Sequence, residues 1–178
     1  MKIYLTRHGQ TDWNLQHKIQ GQIEVPLNAT GLKQAAAVRD KLRDTHIDLI
    51  FSSPLGRAME TARIINEAHN APLIPDRRII EEYYGQLEGA PRDPSNTLYQ
   101  IQRRSFFKRY PGGESYLDVC ARVYAFINEI REKYPDKTLL VVAHGGMSRV
   151  FHTYFHDMEN EEFVTYGLDN CEVAEYEI

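Results

Sequence analysis

An uninterrupted apolar run at residues 138–143 constrains the fold of this chain more than any other feature. The run reads Thr-Leu-Leu-Val-Val-Ala and contains no alternating polar positions. Strands of this composition are buried on both faces, and they occur in parallel sheets that carry helices on each side. Two other apolar runs, at residues 3–5 and 47–51, are candidates for neighbouring strands.

Segments with the helical spacing of apolar residues separate these strands. Thr30 can cap a helix, and its apolar face would carry Leu32, Ala35, Val38 and Leu42. Further helices are expected from Leu55, from Ser115 and from about Gly146. Residues 72–75 predict a short edge strand because prolines flank them, and residues 171–178 alternate like a final strand. This order predicts an α/β fold, a three-layer sandwich with a mostly parallel central sheet and helices on both faces.

Composition and charge restrict the class of partner. The chain of 178 residues is 42% hydrophobic and 26% charged, with a net charge of −4. Such a balance disfavours nucleic acid or a membrane as partner, and no apolar stretch approaches the ~20 residues that span a bilayer. No change in composition marks a linker, so residues 1–178 are predicted to form a single domain. Cys120 and Cys171 are too few for a disulfide framework, which favours a cytoplasmic protein. The oligomeric state is left open.

Polar residues follow three of the expected strands at the point where each strand ends. Arg7, His8 and Gly9 follow the first, and His144, Gly145 and Gly146 follow the run at 138–143. After the strand at 47–51 come Ser52, Ser53 and Pro54, with Arg57 shortly behind. If the strands are parallel neighbours, these side chains meet at the edge where such sheets bind ligands. Guanidinium groups match phosphate oxygens, so the pattern predicts a phosphoryl-transfer site.

Four blocks in this order resemble the histidine phosphatase superfamily, which also contains the cofactor-dependent phosphoglycerate mutases. They are RHGQTxWN at 7–14, SSPLxRAxxTA at 52–62, the glutamate-rich block at 81–89 and AHGG at 143–146. The resemblance runs essentially from end to end. In this family the positions of Arg7 and Arg57 match the arginines that bind the transferred phosphate.

His8 is the expected nucleophile, because a neutral imidazole nitrogen can attack phosphorus and divide one displacement into two. The alternative for His8 is a histidine that only caps the strand end. His144 would stabilise the transition state, either as a cation or as a neutral donor. The alternatives for His144 and Arg57 are a satisfied core histidine and a solvated helix residue.

A leaving alkoxide needs a proton, so a carboxylic acid is expected near the site. Glu81 and Glu82 are both candidates. The resemblance places the acid four residues before the glycine that Gly85 matches, which selects Glu81. Glu82 and Glu88 are expected to face solvent or to pair with arginines.

The resemblance also implies that Asn14, Gln20, Gly21 and Tyr84 line the substrate mouth, although each could be a simple loop residue. The Gly145 amide lies at a helix start, which favours anions. His152 and His156 have a spacing that can hold a metal, but the aromatic residues between them favour packing. No metal and no organic cofactor are expected.

A basic cluster follows the glutamate-rich block, and a solvated face is its simplest interpretation. It consists of Arg103, Arg104, Lys108 and Arg109, and Arg92 lies upstream. The mutases carry basic residues at similar places, where they would suit a substrate with a second anionic group. The surrounding segment, 90–112, is poorly periodic and much shorter than in mutases. It is expected to be a partly helical lid or specificity insertion over the site.

Together these residues predict a phosphomonoesterase that hydrolyses a small phosphorylated metabolite through a phosphohistidine on His8. Because the insertion is short, water can reach such an intermediate. The first alternative is a cofactor-dependent phosphoglycerate mutase. A more remote alternative is a catalytically silent module that binds phosphoproteins. The physiological substrate is not identified by the sequence.

Overall fold

The computed structural model describes residues 1–178 and contains one five-stranded sheet. The strands are β1 (Lys2–Arg7), β2 (Leu49–Ser52), β3 (Leu73–Pro75), β4 (Thr138–Ala143) and β5 (Val173–Glu177). Their order in the sheet is β3-β2-β4-β1-β5. All neighbouring pairs are parallel except β1 and β5, which are antiparallel. The predicted α/β fold with a mostly parallel central sheet is confirmed.

Seven α-helices connect or flank the strands. They are α1 (Asp12–Leu15), α2 (Ala29–Leu42), α3 (Gly56–Asn66), α4 (Thr97–Gln102), α5 (Tyr116–Lys133), α6 (Gly145–His152) and α7 (Asn160–Thr165). Short 3₁₀ turns lie at Arg77–Ile79 and Gly85–Leu87. No helix is both long enough and apolar enough to span a bilayer.

Strand β4 shows why the run at 138–143 is apolar at every position. Leu139 and Val141 belong to a buried cluster with α5 and α6, whereas Leu140 and Val142 belong to a second cluster with α2 and α3. Successive side chains of a strand point to opposite faces, so both faces of β4 are covered. The two clusters are the two interfaces of the sandwich.

The start of α2 differs from the sequence prediction. Asn28, not Thr30, caps the helix, and its side-chain oxygen accepts a hydrogen bond from the Gly31 backbone N–H at 2.9 Å. Leu32 is 43% exposed, while Gly31 is buried. The backbone at Gly31 packs directly against the backbone at Gln10. A Cβ on Gly31 would lie 2.2 Å from the Gln10 carbonyl oxygen. The loop that follows β1 therefore occupies the surface that Leu32 was expected to cover.

Other boundaries agree more closely with expectation. Ser115 caps α5 with a reciprocal hydrogen-bond pair to Asp118. Strand β3 lies at the sheet edge, as its flanking prolines predict. The final strand is shorter than residues 171–178, and it lies beside β1 as an antiparallel edge.

The register of the sheet aligns the ends of its central strands. Arg7 at the end of β1 is opposite Ala143 at the end of β4, and Ser52 of β2 is opposite Val142. The residues that follow these three strands therefore leave the sheet side by side. They are His8, His144 and Ser53.

Candidate active site

His8 lies at the centre of this strand edge and is only 2% exposed. Its Nδ1 atom lies 2.7 Å from the Gly9 carbonyl oxygen. A carbonyl can only accept, so Nδ1 carries the proton and Nε2 keeps a free lone pair. Burial, together with the charges of Arg57 and Arg7, holds the pKa of His8 well below its usual range. The imidazole is therefore neutral and nucleophilic at neutral pH.

The turn that carries His8 is fixed by its surroundings. The Gly9 backbone N–H donates to the Thr61 hydroxyl at 3.0 Å, and that hydroxyl donates to the Arg57 carbonyl at 2.8 Å. A Cβ on Gly9 would lie 2.4 Å from the Gly31 carbonyl oxygen. Only glycine allows this approach, so the RHG turn is locked between α2 and α3.

Arg57 is buried and Arg7 is half-buried, and each is anchored by backbone carbonyls. Arg7 Nη1 donates to Leu168 at 3.0 Å, and Arg57 donates to Ile23 at 2.8 Å and to Gly21 at 2.6 Å. The Nε atoms of both arginines are buried without a protein partner. Burial lowers the pKa of Arg7 to about 10, which leaves its guanidinium charged at neutral pH. The solvated alternative for Arg57 is wrong, because this residue is 1% exposed.

His144 is fully buried, with its ring centroid 5.2 Å from that of His8. Its Nε2 atom lies 2.7 Å from the Ser53 hydroxyl, and its Nδ1 atom has no protein partner. Burial and the charge of Arg57 hold the pKa of His144 well below its usual range. Of the two expected forms, the structure favours the neutral donor over the cation.

Glu81 is 8% exposed and fixed at the start of α6. Its carboxyl oxygens accept backbone hydrogen bonds from Glu82 at 3.0 Å, Met147 at 3.1 Å and Gly146 at 3.2 Å. A Cβ on Gly146 would lie 2.7 Å from Glu81 Oε1, so the second glycine of AHGG makes room for this carboxyl group.

Glu82 corrects the sequence prediction, because it neither faces solvent nor forms an ion pair. It is 1% exposed, and neither carboxyl oxygen has a hydrogen-bond partner. Burial and the neighbouring Glu81 raise the pKa of Glu82 to about 8. Glu88 is half-buried and accepts the Gln22 backbone N–H at 2.8 Å, so it does not pair with an arginine either.

A single pocket with an empty volume of about 440 Å³ unites most of the predicted residues. Those that line it are Arg7, His8, Asn14, Gln20, Gly21, Arg57, Glu81, Tyr84 and Gly145. His144 is not among the residues that line the pocket, although its ring centroid lies 5.2 Å from that of His8.

The residues of the predicted basic cluster differ in whether they reach the pocket. Arg92 and Lys18 line the pocket, whereas Arg103, Arg104, Lys108 and Arg109 do not. Arg104 pairs with Glu161 at 2.7 Å, and Arg109 pairs with Asp118 at 2.7 Å, both on the surface. The solvated interpretation is thus correct for Arg104 and Arg109.

His152 and His156 pack as the aromatic context predicts. Their rings stack at 4.3 Å, and His152 Nδ1 lies 3.0 Å from the Tyr176 hydroxyl. No group of three or more His, Cys, Asp or Glu side chains is arranged to hold a metal ion.

Several site residues were missed from the sequence. Asn170 donates to the His8 carbonyl at 2.8 Å and contacts Asn14, while Tyr99 and Arg149 line the pocket. Asn170 follows no motif and comes from the loop before β5. Arg149 lies four residues after Gly145, a helical spacing that places both on one face, and this was the available signal.

The fold and this strand-edge site are those of a phosphoryl-transfer protein, and comparison with known proteins identifies the family. Residues 3–178 match the family model described as histidine phosphatase superfamily (branch 1). The chain belongs to this family.

Two relatives and one solved structure illustrate the range of similarity. The chain is 35% identical to "Uncharacterized phosphatase PhoE" of Bacillus subtilis (strain 168), covering 97% of this chain and 89% of that protein. It is 36% identical to "Probable phosphoglycerate mutase GpmB" of Proteus mirabilis, covering 82% and 70%. The mycobacterial glucosyl-3-phosphoglycerate phosphatase Rv2419c superposes with a TM-score of 0.88 at 27% identity, covering 98% and 90%.

Proposed function

We propose that this protein is a phosphomonoesterase that hydrolyses small phosphorylated metabolites through a phosphohistidine on His8. One observation carries the proposal: the lone pair of His8 Nε2 shares its surroundings with three buried donors that lack a protein partner. These donors are Arg7 Nε, Arg57 Nε and His144 Nδ1. Buried polar groups are normally paired. A tetrahedral oxyanion beside His8 would pair all three.

In the first step, His8 Nε2 attacks phosphorus, a P–N bond forms and the ester P–O bond breaks. The leaving alkoxide takes a proton from Glu81. Arg7, Arg57 and the neutral His144 stabilise the charge on the equatorial oxygens. The two guanidinium groups supply the positive charge that a magnesium ion supplies in other phosphoryl transfers.

In the second step, water attacks the phosphohistidine while the Glu81 carboxylate takes one of its protons. The P–N bond breaks, and its electron pair returns to His8 Nε2. Inorganic phosphate then leaves, and the starting protonation states are restored. Glu81 suits both steps because its backbone hydrogen bonds fix its position at the pocket wall.

Hydrolysis is favoured over mutase activity by the segment 90–112, which we assign as a short lid in a single-domain protein. Only six of its residues form a helix, Thr97–Gln102. Tyr99 and Tyr110 attach the segment to Tyr84, and Lys18 bridges to Pro91. It contributes Arg92 and Tyr99 to the pocket lining, and a segment this short would leave water a route to a phosphohistidine. A mutase must instead keep its monophosphate enclosed until it is phosphorylated again.

The cellular setting is part of the proposal. Both cysteines are free, and a net charge of −4 surrounds a pocket rich in arginine. These features suit a cytoplasmic enzyme with small anionic substrates and without nucleic acid partners.

The test is phosphate release from an aryl phosphate, combined with trapping of the labelled intermediate in acid-quenched and base-quenched samples. His8→Ala should abolish turnover and labelling, while the control His46→Ala, at an exposed residue, should retain both. Acid-labile label on another residue, or turnover by His8→Ala, would refute the nucleophile. Interconversion of 2- and 3-phosphoglycerate faster than hydrolysis would indicate a mutase. Binding without turnover would indicate a phosphoprotein-binding module.

A further inference from the structure

A second polar cluster lies behind the wall of the pocket, away from His8. It is buried between α4, α6 and the residues that follow Glu81, and several of its polar atoms have no partner. These atoms are both carboxyl oxygens of Glu82, the Nε atoms of Arg103 and Arg149, the Tyr110 hydroxyl and Gln102 Oε1. Such a concentration of unpaired buried groups is costly unless a ligand uses some of them.

Arg149 is the member of this cluster that reaches the pocket. It is 5% exposed and lines the same cavity as His8. Its Nη1 atom donates to the Tyr116 hydroxyl at 3.2 Å and to the Val164 carbonyl at 3.2 Å. No carboxylate lies within ion-pair distance. The Nε–Nη2 edge of the guanidinium therefore remains free, and this is the edge that matches two oxygens of one carboxylate.

The nearest acidic group does not neutralise Arg149. Burial and Glu81 raise the pKa of Glu82 to about 8, so Glu82 is uncharged at neutral pH. No ion pair with the protein therefore offsets the positive charge on Arg149. Pairing the Arg149 guanidinium with an anionic group of a ligand would offset the cost of burying its charge alone.

Helix α6 sets the separation between this charge and the phosphoryl clamps. Gly145 and Arg149 are four residues apart, so both face the pocket about one helical turn, ~5.4 Å, from each other. At Gly145, a Cβ would lie 3.4 Å from the guanidinium carbon of Arg7. A ligand that reaches from Arg7 to Arg149 therefore needs only a few atoms between its two anionic groups.

We propose that Arg149 binds a carboxylate on the leaving group, so that the preferred substrates are phosphate monoesters of small hydroxy acids. The proposal rests on the proposed function and names the substrate class of the same site. Tyr84 and Tyr99, which line the pocket beside Arg149, confine the carbon chain between phosphate and carboxylate.

The test compares O-phosphoserine with O-phosphoethanolamine, which differ only by the carboxylate. For the wild type, kcat/KM should favour O-phosphoserine by roughly 10- to 100-fold, the range of a charge-assisted hydrogen-bond pair. Arg149→Met should remove that preference, so that the ratio of its kcat/KM values for the two substrates approaches one. The control Arg104→Met, at an exposed ion pair outside the pocket, should keep the preference.

Equal kcat/KM for the two substrates with the wild type would overturn the proposal without any variant, even if Arg149→Met fails to fold. A preference retained by a folded Arg149→Met would overturn it too, as would a stronger preference for a bisphosphate of similar length. Failure of the wild type to hydrolyse the aryl phosphate would instead overturn the proposed function. The two failures are therefore distinguishable.

Discussion

The Nε2 atom of His144 and the hydroxyl oxygen of Ser53 lie 2.7 Å apart, both fully buried. If the serine donates in this contact, Nε2 accepts and the single imidazole proton resides on Nδ1. Nδ1 is the atom that has no protein partner. A serine on the turn after β2 thus determines which nitrogen of a histidine after β4 can donate to an oxyanion.

Ser53→Ala is expected to lower kcat by roughly 10- to 100-fold, because His144 loses the group that fixes its tautomer. Ser52→Ala is the matched control, since Ser52 is equally buried but donates to the Ser53 carbonyl at 2.9 Å. Rates for both variants on an aryl phosphate are the measurement. Equal losses would show that the effect comes from burial of the turn and not from His144.

Glu81→Gln should discriminate between leaving groups. A general acid contributes roughly 10²–10⁴-fold when an alkoxide leaves and much less when an acidic phenol leaves. The measurement is kcat on an alkyl phosphate and on an activated aryl phosphate. Glu82→Gln, which is uncharged like the protonated Glu82, should leave both rates near wild type below pH 7. A selective loss in Glu82→Gln would instead move the acid to that residue.

Glu82 should make the protein less stable as pH rises. The unfolded chain releases the Glu82 proton near the ordinary value, whereas the folded protein keeps it up to about pH 8. Between these values the folded state binds more protons, so raising the pH lowers the free energy of unfolding. Relative to wild type, Glu82→Gln should gain as much as ~4 kcal/mol between pH 5 and pH 8. Denaturant unfolding at both pH values checks this, and a constant difference would contradict the raised pKa.

The imidazoles of His8 and His144 should remain neutral below the pH at which an ordinary histidine protonates. Burial beside Arg57 and Arg7 disfavours a further positive charge on either ring. In NMR titrations of the protein without phosphate, their ring resonances should hold the neutral shift at pH 6. His8→Ala and His144→Ala assign the signals. A midpoint near 6.5 for either residue would show that the arginines do not act as described.

Residues at the ends of strands were predictable because a strand pattern fixes where the next side chain emerges. The placement of His8 and His144 follows from that rule, whereas Arg57 was inferred from the turn that precedes it and from the family resemblance. The rule fails for Glu82, since a glutamate next to a candidate acid is expected to be solvated, and only tertiary packing buries it. It also fails for Leu168, which holds Arg7 through a backbone carbonyl that any residue could supply. The predicted start of α2 was wrong because the close approach of Gly9 and Gly31 leaves no signal in the local sequence.

The loop before β5 contributes a constraint on folding. Leu168 and Asn170 hold Arg7 and His8 from positions 161 and 162 residues away along the chain. Contacts of such long sequence separation have a high loop-closure cost, so we expect them to form late, after the strands between them have assembled. His8 would therefore lack this support in any intermediate without the β1–β5 pair. Recovery of activity during refolding would report completion of the sheet, and a partly folded chain would carry no misdirected hydrolytic activity.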